Sequence, residues 1–482
     1  MPRVLLVGNE IQTHPTTYVG SGGSRGQYFV NTAFEVTPNP VKGEAKVFVR
    51  PREGLATQAV AGLGTPSACA IWTGSADEVV IGSTVSGNPT LFTGGTSRGT
   101  MTGTVKFFEE GLISGEANLL IVTSNRMYYY GPVSLTEVTD VDFPPKQTPA
   151  LTITGRPVIK DGFVFIATTN GQIWNSDLNS VTSWTANSFI SVDRKADKLR
   201  GVALYKDFIV AFGTASIELF RNAGNPVGSP LSRVENGVIQ VGCLNEKSYI
   251  SISDTVAWIG GVGSCGVYVL DGMSAQKISI PSVEVEISNM SSARVSRAGS
   301  WGDEYLLVYE AAGTSRQWAY SFAARMWSLW ETADDMTDSA CFQPSTIGSQ
   351  YSMIYVGTGS NYYISDKDSI DAGAIQFGPI DFDTGNKKTC WRAQLIGTYR
   401  FNPSGSKNFS LTWSNNNGRT FSSAKTLTLG DDTDDGSAPR CHRLGSPFRA
   451  RTWRLTWEAE NNGYIFGWAL SAIDFEIEKH EI

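Results

Sequence analysis

Acid–base hydrolysis needs two carboxylates that share a pocket, or a nucleophile held beside a base. The chain offers close acidic pairs such as Asp334 with Asp335 and Asp381 with Asp383. Neighbouring acids in polar loops are normally solvated, and nothing in the flanking residues gathers either pair into a cleft. A Ser-His-Asp arrangement would have to draw on His14, His442 or His480, all near the chain ends, and no G-x-S-x-G elbow is present. Six cysteines (Cys69, Cys243, Cys265, Cys341, Cys390 and Cys441) are scattered without a C-x-x-C pair. Cys441 beside His442 lacks the second ligand pair that zinc requires. The residues therefore assign no catalytic, no cofactor-binding and no metal-ligating position, and the chain reads as a non-enzyme without a cofactor. Free buried thiols suit a reducing compartment.

Two glycine-bearing stretches resemble ligand motifs. GSGGSRGQ at 20–27 lacks the Lys and the following helix that a phosphate-binding loop needs, so it reads as a flexible loop. SNNNGRTF at 414–421 fits the Asp-box pattern S-x-D/N-x-G-x-T-F/W found in sialidase propellers. There the Asp or Asn side chain ties down a hairpin turn, and the Gly takes a positive φ. The box occurs once, with Asn416 where Asp is usual, so a well-formed hairpin is the plainer reading. It keeps a propeller-type carbohydrate-binding module or glycosidase as the alternative function, and a generic interaction scaffold as a third.

The elements that would position any site come from a repeat. KDFIVAFGTASIELF at 206–220 is a charged turn, an apolar strand, a Gly-Thr break and a second strand. Comparable units are anchored at Val79, Leu119, Phe163, Phe208, Val256, Tyr305 and Met353, at steps of 40, 44, 45, 48, 49 and 48 residues. The copy at Val79 is the weakest. Each unit has room for about four strands, and a period of 40–50 residues with four strands is the signature of a β-propeller. A four-stranded sheet cannot cover both of its apolar faces alone, and stacking blades around an axis covers each with its neighbour. Six or seven blades are expected. The 50 glycines and 53 aromatic residues fit short strands joined by tight turns. The best helical candidate, Ser321–Leu329, competes with a strand reading.

The 482 residues exceed what one core usually serves. The expected organisation is an extended arm of short strands over 1–55, a β-propeller over 56–375 and an antiparallel β-sandwich-like domain over 376–482. The stretch 371–390 reads as the linker into this last unit. Net charge is −7, from 46 acids and 39 bases, with no basic stripe of the kind an electrostatic nucleic-acid binder shows. The densest basic stretch, Arg440, Arg443, Arg449, Arg451 and Arg454, reads as solvent-facing residues along a strand. No run approaches the ~18 apolar residues of a membrane helix, and Val4–Val7 is too short for a signal-peptide core. No membrane insertion and folding in a cytoplasm are expected.

LRGVALYKDFIVAFGTASIELFRNAGNP at 199–226 resembles the tail-hub proteins of short-tailed bacteriophages, also called nozzle or packaged-DNA-stabilisation proteins. The residues that carry the resemblance are Gly201, Asp207-Phe208-Ile209-Val210, Phe212-Gly213 and Ser216-Ile217-Glu218 leading to Phe220. Overall length, the N-terminal segment and the C-terminal strands agree more loosely. The resemblance implies a structural virion tail protein, assembled in the host cytoplasm as a homo-hexameric ring below the portal and its adaptor. Such a ring prolongs the DNA channel, helps retain packaged DNA and carries tail fibres, spikes or a needle. Genomic DNA would pass through without sequence-specific binding, which an acidic chain favours.

Overall fold

Every copy of the repeat folds as an antiparallel sheet of four strands in the computed structural model of the chain, giving seven blades. The structure describes residues 3–5, 28–38, 45–72, 74, 78–131, 134–195, 197–252, 254–261, 265–300, 303–311, 315–332, 335–342, 352–357, 361–399, 407–429, 439–459 and 468–480. The glycine-rich stretch 20–27, His14, Asp334 and residues 431–435 lie outside them. Blades 1 to 6 span 65–100, 105–137, 153–191, 199–239, 249–277 and 293–331, and blade 7 takes three strands from 336–370. All seven anchors fall in the second strand of their blade, including Val79 in Glu78–Val85. The weakest copy is thus a full blade.

The turns explain why the repeat folds this way. Ser114-Gly115 and Asp161-Gly162 stand between the first two strands of blades 2 and 3, and Ser86-Gly87 between the second and third strands of blade 1, each with both residues at positive φ (54° and 80°, 51° and 79°, 48° and 85°). That is the two-residue turn whose twist matches flanking strands. The strands then bury alternate faces against neighbouring blades. Ile166, Trp174 and Val164 pack with Leu120 and Val122 of blade 2 on one side, while Phe165, Ala167 and Ile173 meet Val202, Ile209 and Ala211 of blade 4 on the other. Each such side chain contributes about 1.5–3 kcal/mol on burial.

The ring closes through the N-terminal region. Glu53–Ala59 pairs antiparallel with Asn361–Ile370 as the fourth strand of blade 7. The first strands of successive blades contact one another all the way round, with Met336–Phe342 meeting Thr65–Trp72. Closure joins the two ends of the repeat array and leaves no open inter-blade face.

The outermost strand of blade 6, Met326–Glu331, is extended into a nine-stranded sheet. Tyr28–Val30 pairs parallel with it, followed by Gly373–Ile380, Arg451–Trp457, Lys407–Ser414 and Lys425–Leu429. A second sheet orders Thr32–Pro38, Ala45–Pro51, Trp468–Lys479, Lys388–Tyr399 and Arg440–His442. The two share one aromatic core, in which the Trp453 and Phe475 rings lie 4.5 Å apart. N-terminal and C-terminal strands are interleaved in both sheets.

Three expectations differ from what is observed. The stretch 371–390 carries the strand Gly373–Ile380, because AIQF alternates and pairs on both edges. Residues 316–331 form a hairpin, with Tyr320 opposite Trp327, and not a helix. Arg451 is fully buried and does not face solvent. Its guanidinium donates to Asn415 Oδ1 (2.8 Å) and to the carbonyls of Ser446 (2.8 Å) and Leu444, and stacks on Phe448 at 3.7 Å. Carbonyl acceptors and ring faces replace the water it leaves. The one α-helix among the described residues, Pro281–Asn289, was not expected. Its Val283, Val285 and Ile287 alternate like a strand, yet Val283 and Ile287 are buried one turn apart and Val285 is exposed.

Candidate functional site: the axial pit of the propeller

The first strands of the seven blades surround an axial cavity of about 400 Å³. Its charged lining is Glu109 and Glu110 from blade 2, Arg156 from blade 3 and Arg297 from blade 6. Blades 4, 5 and 7 add Val202–Leu204, Tyr249–Ser251 and Ser339 with Ala340.

One end of the axis is crossed by side chains. Lys106 of blade 2 donates from Nζ to Glu246 Oε1 at 2.7 Å, and Glu246 lies in the turn that leads into blade 5. Blades 2 and 5 stand opposite in a ring of seven, so this bridge spans the axis. Lys247 beside it places its ammonium 5.4 Å from the Phe107 ring centre. Burial lowers the Lys247 amine to about 8, opposed by Asp338. The cavity is therefore a blind pit.

The wall is braced between blades. Tyr249 OH accepts the Arg156 backbone N–H at 2.9 Å, reaching from blade 5 across blade 4 to blade 3. Two glycines make room for it. A Cβ on Gly155 or Gly201 would stand 2.1 or 2.0 Å from the Tyr249 hydroxyl. Thr154 Oγ1 donates to Arg200 O at 3.0 Å, Ser67 Oγ to Val105 O at 2.9 Å and Ser248 Oγ to Ala293 O at 2.7 Å. Asp338 Oδ2 accepts the Cys69 N–H across the closure of the ring.

Most polar groups in the pit are committed to this bracing. Arg156 Nη1 donates to Phe108 O at 3.1 Å, and Arg297 pairs with Glu304. Glu109 differs: burial pushes its carboxyl up to about 7, opposed mainly by Arg156. Glu109 and the Lys247 amine are thus the two groups described at the axis whose charge can change near physiological pH.

The residues singled out in the sequence are not brought together. Asp381 and Asp383 cap one exposed turn, with Asp381 Oδ1 accepting the Asp383 N–H at 3.1 Å. His442 is exposed, and His480 Nε2 lies 2.8 Å from Thr389 Oγ1. In SNNNGRTF, Asn416 Oδ1 accepts the Thr420 N–H (3.0 Å), Ser414 Oγ accepts the Gly418 N–H (2.9 Å), and Gly418 has φ 80°. Asn415 from the same turn holds Arg451, so the motif acts as a hairpin clamp. Burial raises the Cys243 and Cys390 thiols to about 12 and Cys441 to about 11, far from a nucleophile's range. Among the described residues no three of His, Cys, Asp and Glu group as metal ligands.

Glu110, Arg156 and Arg297 were missed in the sequence. A signal existed: they stand nine, seven and eight residues upstream of the anchors Leu119, Phe163 and Tyr305. A charge recurring seven to nine residues before each of these anchors, inside an apolar strand, marks the innermost strands.

A family model described as bacteriophage P22 Gp10, beta-propeller, matches residues 25–361. No curated protein matches. Among solved structures the chain is similar to BamB from Moraxella catarrhalis, at 12% identity over 68% of this chain and 92% of that one, with a TM-score of 0.39. It is similar also to BBS1N in complex with ARL6DN, at 13% identity over 65% and 95% of the two chains, with a TM-score of 0.44.

Proposed function

Since the chain belongs to the family of the bacteriophage P22 Gp10 β-propeller, a family of structural phage tail-stabilisation proteins, we propose that it is the tail-hub subunit of a DNA conduit. Six copies form a ring beneath the portal and its adaptor. The ring prolongs the DNA channel, helps retain the packaged genome, and anchors tail fibres, spikes or a needle. The role is mechanical and involves no catalysis. The ring is built in the host cytoplasm and remains in the virion tail.

The observation that carries this reading, beyond the family, is the closed axis. The major groove of a DNA duplex alone is about 12 Å wide. The Lys106–Glu246 contact at 2.7 Å leaves no such passage through a single propeller. A conduit made from this chain must run between subunits, with each propeller as a solid block in its wall. Seven inter-blade cores and a closed ring suit a wall that bears pressure. The excess of 46 acids over 39 bases favours DNA that slides without adhering.

The test is retention. Phage heads assembled without this chain should lose packaged DNA, and purified chain added to them should restore it. Heads that keep their DNA equally well without it would contradict the reading.

A further inference from the structure

On one face of the propeller, the turn after a blade's first strand touches the turn after the next blade's third strand. Ser114 Oγ of blade 2 donates to Asn179 O of blade 3 at 2.9 Å. Asn222 Nδ2 of blade 4 donates to Asp161 Oδ2 of blade 3 at 2.9 Å, and Gly272 N of blade 5 to Tyr205 OH of blade 4 at 3.0 Å. Blades 2 to 5 thus present one continuous surface. Each blade contributes an apolar tip: Leu112, Leu178, Val227 and Met273 are 67%, 59%, 88% and 49% exposed. Isolated exposed apolar residues are ordinary, but here one recurs on each of four successive blades along the arc. Its rim is acidic. Glu116, Asp161, Asp207, Asp254 and Asp271 are exposed there, against Lys206 and Arg221. Lys160 beneath them lies within 4 Å of both Asp161 and Asp207.

The complementary chemistry stands elsewhere on the same chain. Arg440–His442 is a short edge strand on Lys388–Tyr399. Beside it Trp391 is 48% exposed, and its carbonyl accepts the Arg443 N–H at 2.8 Å. Arg440, His442 and Arg443 are all exposed. Glu478 is tied to the Trp391 indole N–H at 2.8 Å, and Glu476 to Arg392. This edge is therefore an exposed Trp flanked by arginines. Its sheet packs on blade 6, away from the arc of blades 2 to 5.

We infer that the acidic apolar arc of one copy receives the Trp391–Arg443 edge of a second copy, head to tail. The inference rests on the ring reading above and names the two surfaces that make the ring. A contact between two different patches is heterologous, and repeating it generates a closed ring where the rotation per copy closes and an open filament where it does not. Both patches lie on different parts of the chain, so each copy can use both at once. Trp and Arg are the residue types that anchor interfaces, and the acidic rim orients their approach.

The test uses full-length chain with two surface variants, each first checked for wild-type circular dichroism. One carries Leu178→Asp and Val227→Asp; the other carries Trp391→Ala and Arg443→Glu. Analytical ultracentrifugation reads the assembly, alone and on connector particles stripped from virions. Wild type should form rings, and each variant alone should lose them, with apparent affinity down at least tenfold. Mixed together, the variants have one intact arc and one intact edge, and should form 1:1 dimers but no rings. Variants that still form rings as wild type does would overturn the inference while leaving the ring reading intact. Wild type that stays monomeric under both conditions would overturn the ring reading and this interface together.

Discussion

The hydroxyl of Tyr249 in blade 5 accepts the backbone N–H of Arg156 in blade 3 at 2.9 Å, passing over Gly201 of blade 4. One side chain thereby fixes the spacing of three blades at the pit wall. Tyr249 is buried, and burial raises its phenol well above the usual range.

Gly201→Ala should therefore be costly, since its Cβ would stand 2.0 Å from the Tyr249 hydroxyl. Gly155→Ala adds strain, because Gly155 has φ 75°. Each should destabilise by about 2–4 kcal/mol. Tyr249→Phe removes the closest atom of the clash, though ring carbons remain at 2.7 and 2.9 Å, together with one hydrogen bond, and should cost about 1–2 kcal/mol. Urea unfolding of Gly201→Ala with and without Tyr249→Phe checks this: the double variant should be more stable than the sum of the two single effects. Strict additivity would show that the close approach is not what makes glycine necessary.

The N-terminal strand should behave as part of the propeller. Arg52 precedes Glu53–Ala59; it pairs with Asp371, donates to Glu331 O at 2.7 Å and covers the Trp330 ring. It is 2% exposed. Arg52→Ala strands Asp371 and uncovers the ring, and should cost about 3 kcal/mol. Deleting 53–59 leaves Asn361–Ile370 as an open edge, and this variant should aggregate on expression. Limited proteolysis and light scattering check both. A deletion variant that stays monodisperse and protease-resistant would show that blade 7 closes without this strand.

Glu109 sets a pH dependence. Its carboxyl is raised from 4.5 to about 7 by burial, so between those values the folded chain holds a proton that the unfolded chain has lost. Its contribution to stability is complete below about 4.5 and is lost as pH rises through 7. The slope amounts to at most about 1.4 kcal/mol per pH unit. Glu109→Gln keeps the shape without the titration. Chemical unfolding from pH 4.5 to 8 should show a flatter profile for the variant and greater stability than wild type at pH 8. Superimposable profiles would remove Glu109 as a titrating group of the pit.

Much of the architecture was legible because the repeat is a physical necessity of blade packing. Each anchor, from Val79 to Met353, begins or enters a central strand whose apolar residues must meet a neighbouring blade on both faces. Long-range pairing was not legible. Nothing local marks Glu53–Ala59 as the partner of Asn361–Ile370, or Tyr28–Val30 as the bridge between blade 6 and Gly373–Ile380, because these choices are made by edges hundreds of residues away. Arg451 and the helix at Pro281–Asn289 failed for a related reason. A charge inside a strand reads as solvent-facing, and V-E-V-E-I reads as a strand, until tertiary contacts decide otherwise. The pit residues were hidden by the same effect, since charges on the innermost strands look like ordinary polar alternation.

The most direct measurement of the conduit account is electron microscopy of the purified chain bound to connector particles from virions. The account predicts a closed ring with sixfold symmetry, its axial opening wide enough for duplex DNA and bounded by propellers whose own axes are shut. Single propellers scattered on the connector, or a ring whose opening is too narrow for a duplex, would contradict it.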